Sequence, residues 1–206
     1  MMKQNVQNKR FGVRQVVLMG MLGALAAVLM LFEIPLPFLA PSFYGLDVSE
    51  IPVMVGTFSM GPLAGVGIEL VKILVKLLLK PTSTGGVGEL ANFVIGCAMV
   101  LPAGWIYQVK KTKEGAIIGM ITGTVCMAFV GAVVNAWVML PFYSHFMPLE
   151  TILAAGAAIN PAISSIWTFV LICVVPFNLV KGSVVSLITA LVYKRVSVMI
   201  HMKVWG

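Results

Sequence analysis

The sequence predicts an all-α membrane protein: six transmembrane helices in a single integral membrane domain over 1–206, with an outward-facing ligand pocket and both the N- and C-termini in the cytoplasm. Three observations predict it. Charge is scarce: Asp, Glu, Lys and Arg make up 10% of the 206 residues and hydrophobic residues 60%, against about 25% charged residues in soluble domains. The mean hydropathy is +1.03. The apolar runs are long and continuous, unlike the short alternating strands of a membrane barrel, and backbone in lipid must satisfy its own hydrogen bonds in helices or closed barrels. Finally, the basic residues are spread unevenly, in a way that fixes the number of crossings.

A span needs about 20 apolar residues. The first is expected over 12–32. The preceding MMKQNVQNKRFGVRQ is basic, as in a signal peptide, but the apolar run that follows is longer than a signal core, so it reads as a retained helix. FEIPLPFLAPSFYGLDVSE, with Pro35, Pro37 and Pro41, cannot be a helix interior and is predicted as a structured loop. Gly61-Pro62 divides the next apolar run into a short span at 50–60 and another at 62–80. PTSTGG is a turn, followed by spans at 88–109 and 115–140 with KKTKE between them. A last span is placed at 176–195, starting near Pro176, because proline in a first helical turn costs little. Residues 141–175 are read as an outer-face lid.

Six crossings place Lys3, Lys9, Arg10, Arg14, Lys110, Lys111, Lys113, Lys194, Arg195 and Lys203 on one side. These are ten of the fourteen basic residues, so that side should be the cytoplasm. The net charge of +7 is thereby read as loop anchoring rather than nucleic-acid binding. Cys97, Cys126 and Cys173 lie singly in apolar runs, and His145 and His201 are isolated. No HExxH, Walker A or GxGxxG pattern is present, so neither a metal centre nor an internal ATPase is expected.

The polar residues collect at the outer face of this topology. The first loop carries Tyr44, Asp47, Ser49 and Glu50, and the 81–92 turn carries Gly85, Gly86, Gly88, Glu89 and Asn92. Asn135 falls near the outer end of the fifth span, and Asn178 and Lys181 near that of the sixth, three residues apart on one helical face. Asp47 and Glu50 also suit a cap on the second span, Glu89 and Asn92 a cap on the fourth, and Lys181 could snorkel. Apolar walls with a few placed polar groups are what a small-molecule site looks like. In the third span Lys72, Lys76 and Lys80 form one stripe, with Glu69 an i, i+3 partner of Lys72. In the first span Gly20 and Ala24, and Gly23 and Ala27, make a small-residue face that serves either internal packing or docking onto another membrane protein.

LDVSEIP, GELANF, VVNAWVMLPFY and PFNLVKG occur in this order, with the hydrophobic spans and the small-residue first helix. Together they resemble the S components of energy-coupling factor (ECF) vitamin importers, most closely the riboflavin-specific branch, over about 12–195. The resemblance implies a six-helix, non-enzymatic plasma-membrane protein that binds a vitamin at its outer face and takes no cofactor. It would work with a transmembrane T component and two ABC ATPases. It further implies ligand contacts from Asn178, Lys181 and Asn135, with Leu46, Asp47, Gly88 and Glu89 closing the pocket, and a T-component contact through Gly20, Gly23, Ala24 and Ala27. The imide edge and polyol of riboflavin suit amides and an ammonium, and its flat ring suits apolar walls. An S component for pantothenate, folate or thiamine is the main alternative. A lipid-acting membrane enzyme would need a catalytic constellation that the scattered Glu33, Asp47, Glu50 and Glu89 do not supply, and a scaffold would leave the polar convergence unexplained.

Overall fold

The structure is a computed structural model describing residues 11–82 and 84–201, with side chains described through Val192. Lys3, Lys9, Arg10 and Lys203, and the side chains of Lys194 and Arg195, lie outside the described residues, and so therefore does most of the basic pattern at the two termini.

Seven helices are described. They are α1 (Val13–Met30), α2 (Glu50–Met60), α3 (Pro62–Leu79), α4 (Val87–Val109), α5 (Lys113–Tyr143), a short α6 (Leu149–Ala157), and α7, which takes in Ile166–Phe169, Val170–Val174 and Val175–His201. Four of them, α1, α4, α5 and α7, are long and apolar enough to cross a membrane. The chain is a multi-pass membrane protein. The loop between α1 and α2 holds a two-residue antiparallel ladder, β1 (Ile34–Pro35) with β2 (Gly45–Leu46), pairing Ile34 with Leu46 and Pro35 with Gly45.

The break between α2 and α3 falls where Gly61-Pro62 predicts it. Gly61 has φ +106°, which a side chain rarely tolerates, and Pro62 opens α3, where its missing N–H is no loss.

The expectation of a lid over 141–175 and a last span starting near Pro176 is corrected. α5 continues to Tyr143 and α7 already begins at Ile166, so only 144–165 lies off the long helices, with α6 inside it. Pro141 and Pro176 sit inside these helices. Each follows a π turn by two positions, Asn135–Met139 before Pro141 and Val170–Val174 before Pro176. A proline in a helix interior removes one bond and clashes with the carbonyl four residues back. The wider π turn absorbs that clash without ending the helix.

The helices enclose two apolar clusters. One, with Met54, Ile68, Met99, Met127 and Val185, fills the space between α2, α3, α4, α5 and α7. The other, with Ala40, Leu140, Ile152, Phe169 and Phe177, ties the α1–α2 loop and α6 to the adjoining parts of α5 and α7.

Candidate ligand cavity

A cavity of about 180 Å³ takes wall residues from both clusters, Met127 from one and Phe177 from the other. Met30 closes it from α1 and Tyr44 and Asp47 from the loop. Glu50 contributes from α2, Gly88 and Asn92 from α4, Asn135 from α5, and Asn178 and Lys181 from α7. Residues from α1, the loop running into α2, α4, α5 and α7 therefore converge on one space.

The polar groups are oriented by local bonds. Asn135 opens the π turn of α5 and is buried; its Nδ2 donates to Gly131 O at 2.8 Å, and Tyr44 Oη donates to its Oδ1 at 2.6 Å. Asn178 repeats the backbone clip on α7, its Nδ2 donating to Val174 O at 2.9 Å. Gly131 lets the helices close here: a β-carbon there would lie 2.9 Å from Asn178 Nδ2. Lys181, 5% exposed, donates from Nζ to Asp47 Oδ2 at 2.7 Å, and Ser49 N donates to Asp47 Oδ1 at 2.9 Å. Burial by itself pushes the Asp47 carboxyl up. The Lys181 ammonium, helped by Lys72 and these hydrogen bonds, outweighs burial and holds the carboxyl down at about 2. Tyr44 packs its ring against Phe43, Phe169 and Phe177, with centroids 5.1, 6.4 and 5.5 Å away, and burial pushes its phenol well up, so it remains a hydroxyl donor.

Of the residues expected at the site, Asn135, Asn178, Lys181, Asp47 and Gly88 line the cavity, whereas Leu46 and Glu89 do not. Leu46 faces the second apolar cluster from β2. Glu89 is buried in an ion pair with Lys76 and accepts from Thr82 Oγ1 at 2.8 Å and Thr84 Oγ1 at 3.2 Å, so its carboxylate braces the α3–α4 turn. The lysine stripe of α3 is also resolved. Lys72 and Lys76 are buried in ion pairs, and Lys80 is exposed. Lys72 Nζ lies 2.6 Å from Glu50 Oε1, a partnership that i, i+3 and i, i+4 spacing cannot reveal because 22 residues separate them. Glu50 thus does more than cap α2.

The small-residue face of α1 divides. Gly23 and Ala27 are buried, and a β-carbon at Gly23 would meet Val71 Cγ1 of α3 at 2.5 Å. Gly20 has open space around it, and Ala24 is half-buried. Among the described residues no His, Cys, Asp and Glu group is arranged to hold a metal ion. Chemically, the cavity offers amides, one ammonium, the carboxyl groups of Glu33, Asp47 and Glu50, aromatic rings and methionines, which suits holding a polar organic molecule.

The chain matches the family described as "ECF transporter, substrate-specific component" over residues 14–193. It is 34% identical to the riboflavin transporter RibU of Staphylococcus aureus (strain TCH60), over 93% of this chain and 92% of that protein. It is 29% identical to the riboflavin transporter FmnP of Bacillus subtilis (strain 168), over 88% and 90%. Among solved structures it superposes on the S component of a bacterial ECF transporter with a TM-score of 0.70 at 31% identity, covering 91% of this chain and 98% of that one. Its fold is also that of ThiT from Listeria monocytogenes, with a TM-score of 0.62 at 17% identity. With this fold and this match along nearly its whole length, the chain belongs to the substrate-specific components of ECF transporters.

Proposed function

We propose that the chain is the riboflavin-binding S component of an ECF importer in the plasma membrane, working with a T component and two ABC ATPases. The observation that carries the reading is the convergence of Asn135, Asn178 and Lys181 on one cavity, in a chain whose relatives along nearly their full length are riboflavin transporters. The amides present donors and acceptors to an imide edge or hydroxyls, the ammonium presents donors, and Phe177 and Met127 supply apolar wall.

In this reading α2, which is short, and α3, which carries charge, complete six crossings with α1, α4, α5 and α7, and α6 lies on the surface. Both termini are then cytoplasmic with Lys110, Lys111 and Lys113, as the positive-inside rule asks, and the cavity opens outward. The surface left around Gly20 and Ala24 is where the T component docks; Gly23 and Ala27 serve α1 packing instead.

The test is an absorbance spectrum of the purified protein, then titration of the ligand-free form with riboflavin by fluorescence quenching. Flavin bands and saturable, near-stoichiometric quenching are expected. A colourless protein that riboflavin does not quench overturns the ligand assignment, and pantothenate, folate and thiamine would be screened next.

A further inference from the structure

The cavity backs onto a buried charge cluster that does not balance. Glu50 of α2 and Glu69 and Lys72 of α3 are 1%, 0% and 0% exposed. Lys72 Nζ donates to Glu50 Oε1 at 2.6 Å and to Glu69 Oε1 at 3.1 Å, so one ammonium serves two carboxyl groups. The neighbouring charges are already committed. Asp47 of the loop pairs with Lys181 of α7, and Glu89 of α4 with Lys76 of α3. Cys97 of α4 is the other titratable group within electrostatic range of both glutamates, and α1 meets α3 through Gly23 against Val71. The described buried groups include four carboxyls (Asp47, Glu50, Glu69, Glu89) and three ammoniums (Lys72, Lys76, Lys181). Fully ionised, they would leave one uncompensated negative charge inside a membrane protein, a costly arrangement.

The geometry locates the imbalance. Glu50 Oε2 has no hydrogen-bond partner among the described residues. Glu69 Oε2 has none either: Lys72 Nζ is 2.8 Å away but approaches outside hydrogen-bond geometry. Both carboxyl groups lie against the same ammonium, with Glu50 Oε1 2.6 Å and Glu69 Oε1 3.1 Å from Lys72 Nζ. Their Oε1 atoms crowd the same point on α4, where a β-carbon at Gly96 would lie 2.5 Å from Glu69 Oε1 and 3.1 Å from Glu50 Oε1. Two carboxylates sharing one site do not both stay ionised. We propose that Glu50 and Glu69 share one proton at neutral pH, as an acid–carboxylate hydrogen bond that makes the Glu50–Lys72–Glu69 cluster electrically neutral. The proton comes from solvent and forms one O–H bond; nothing else is exchanged. Glu50 also lines the cavity, beside Glu33 and Asp47, so at its own position a guest meets a proton-bearing pair rather than a second buried anion.

Infrared spectroscopy of the full chain in mild detergent, in H2O and D2O, tests this whatever the guest is. Selective carbon-13 labelling of glutamate carboxyls separates Asp47 from the glutamates among the seven acidic residues. The expected result is a carboxylic-acid C=O band at pH 7 worth one group per chain, shifted by deuteration and abolished in Glu69→Gln. Absence of the band at pH 7, or an undiminished band in both Glu69→Gln and Glu50→Gln, overturns the proposal. If neither variant folds, the labelled wild-type protein decides: a glutamate acid band persisting above the ordinary carboxyl range supports the shared proton, and its absence refutes it.

Discussion

Lys181 Nζ and Asp47 Oδ2 lie 2.7 Å apart across 134 residues of sequence, joining α7 to the α1–α2 loop at the cavity wall. Removing one member of a buried ion pair strands the other and costs about 3–5 kcal/mol, whereas removing both costs much less. Lys181→Met and Asp47→Asn should therefore each lower thermal stability more than the double variant does. A double-mutant cycle on melting temperatures checks this, and purely additive losses would refute the coupling.

The same pair sets a pH dependence. Asp47 titrates at about 2 in the folded protein against an ordinary value of 3.8. Because the folded value is the lower one, its stabilising contribution is complete above the ordinary value and disappears as pH falls from about 4 to about 2. The amount lost is on the order of 2 kcal/mol. Unfolding followed by tryptophan fluorescence down to pH 3 should show a decline that is smaller in Asp47→Asn.

Tyr44→Phe removes the donor to Asn135 Oδ1 while keeping the ring contacts with Phe169 and Phe177. Leaving a buried acceptor unpaired costs about 1–3 kcal/mol. The variant should fold, bind riboflavin roughly ten-fold more weakly, and expose the loop to protease faster than wild type. Unchanged affinity and unchanged proteolysis would mean that this bond does not hold the loop.

Gly131→Ala would place a β-carbon 2.9 Å from Asn178 Nδ2. The Asn178 amide must then rotate away from its bond to Val174 O. Affinity for riboflavin should fall by roughly ten-fold, about 1.4 kcal/mol, with a smaller change in melting temperature. Titration of the purified variant against wild type measures both.

On α1 the two halves of the small-residue face should behave differently. Gly20→Leu enters open space, so solitary ligand binding should persist while co-purification with the T component is lost. Gly23→Leu meets Val71 and should destabilise the chain itself by about 1–3 kcal/mol. Loss of T-component binding with equal stability in both variants would place the contact elsewhere.

Much of the fold was legible in local chemistry. Gly61-Pro62 marked a real break because both residues act on the backbone they occupy. Pro141 and Pro176 misled for the opposite reason: whether a proline ends a helix depends on whether the preceding turn can widen, and neither Asn135–Met139 nor Val170–Val174 announces a π turn in its side chains. At the site, Asn178 and Lys181 stood out as polar residues in an apolar run, as Asn135 did, and all three reach the cavity. Glu89 was polar, Gly-flanked and close in sequence, yet Lys76 and two threonines claim its carboxylate. Tyr44 and Glu50 stood among the outer-face polar residues and both line the cavity, but their partners, 91 and 22 residues away, were not legible.

The placement of Lys72 and Lys76 bears on how the chain is made. During synthesis α3 emerges carrying two lysines that lipid will not accept, and Lys76 waits for Glu89, thirteen residues later at the head of α4. Glu50 and Glu69 can neutralise Lys72 as soon as α2 and α3 meet. A chain that ended between α3 and α4 would carry Lys76 without its carboxylate partner, so the head of α4 completes the charge balance of the helix before it.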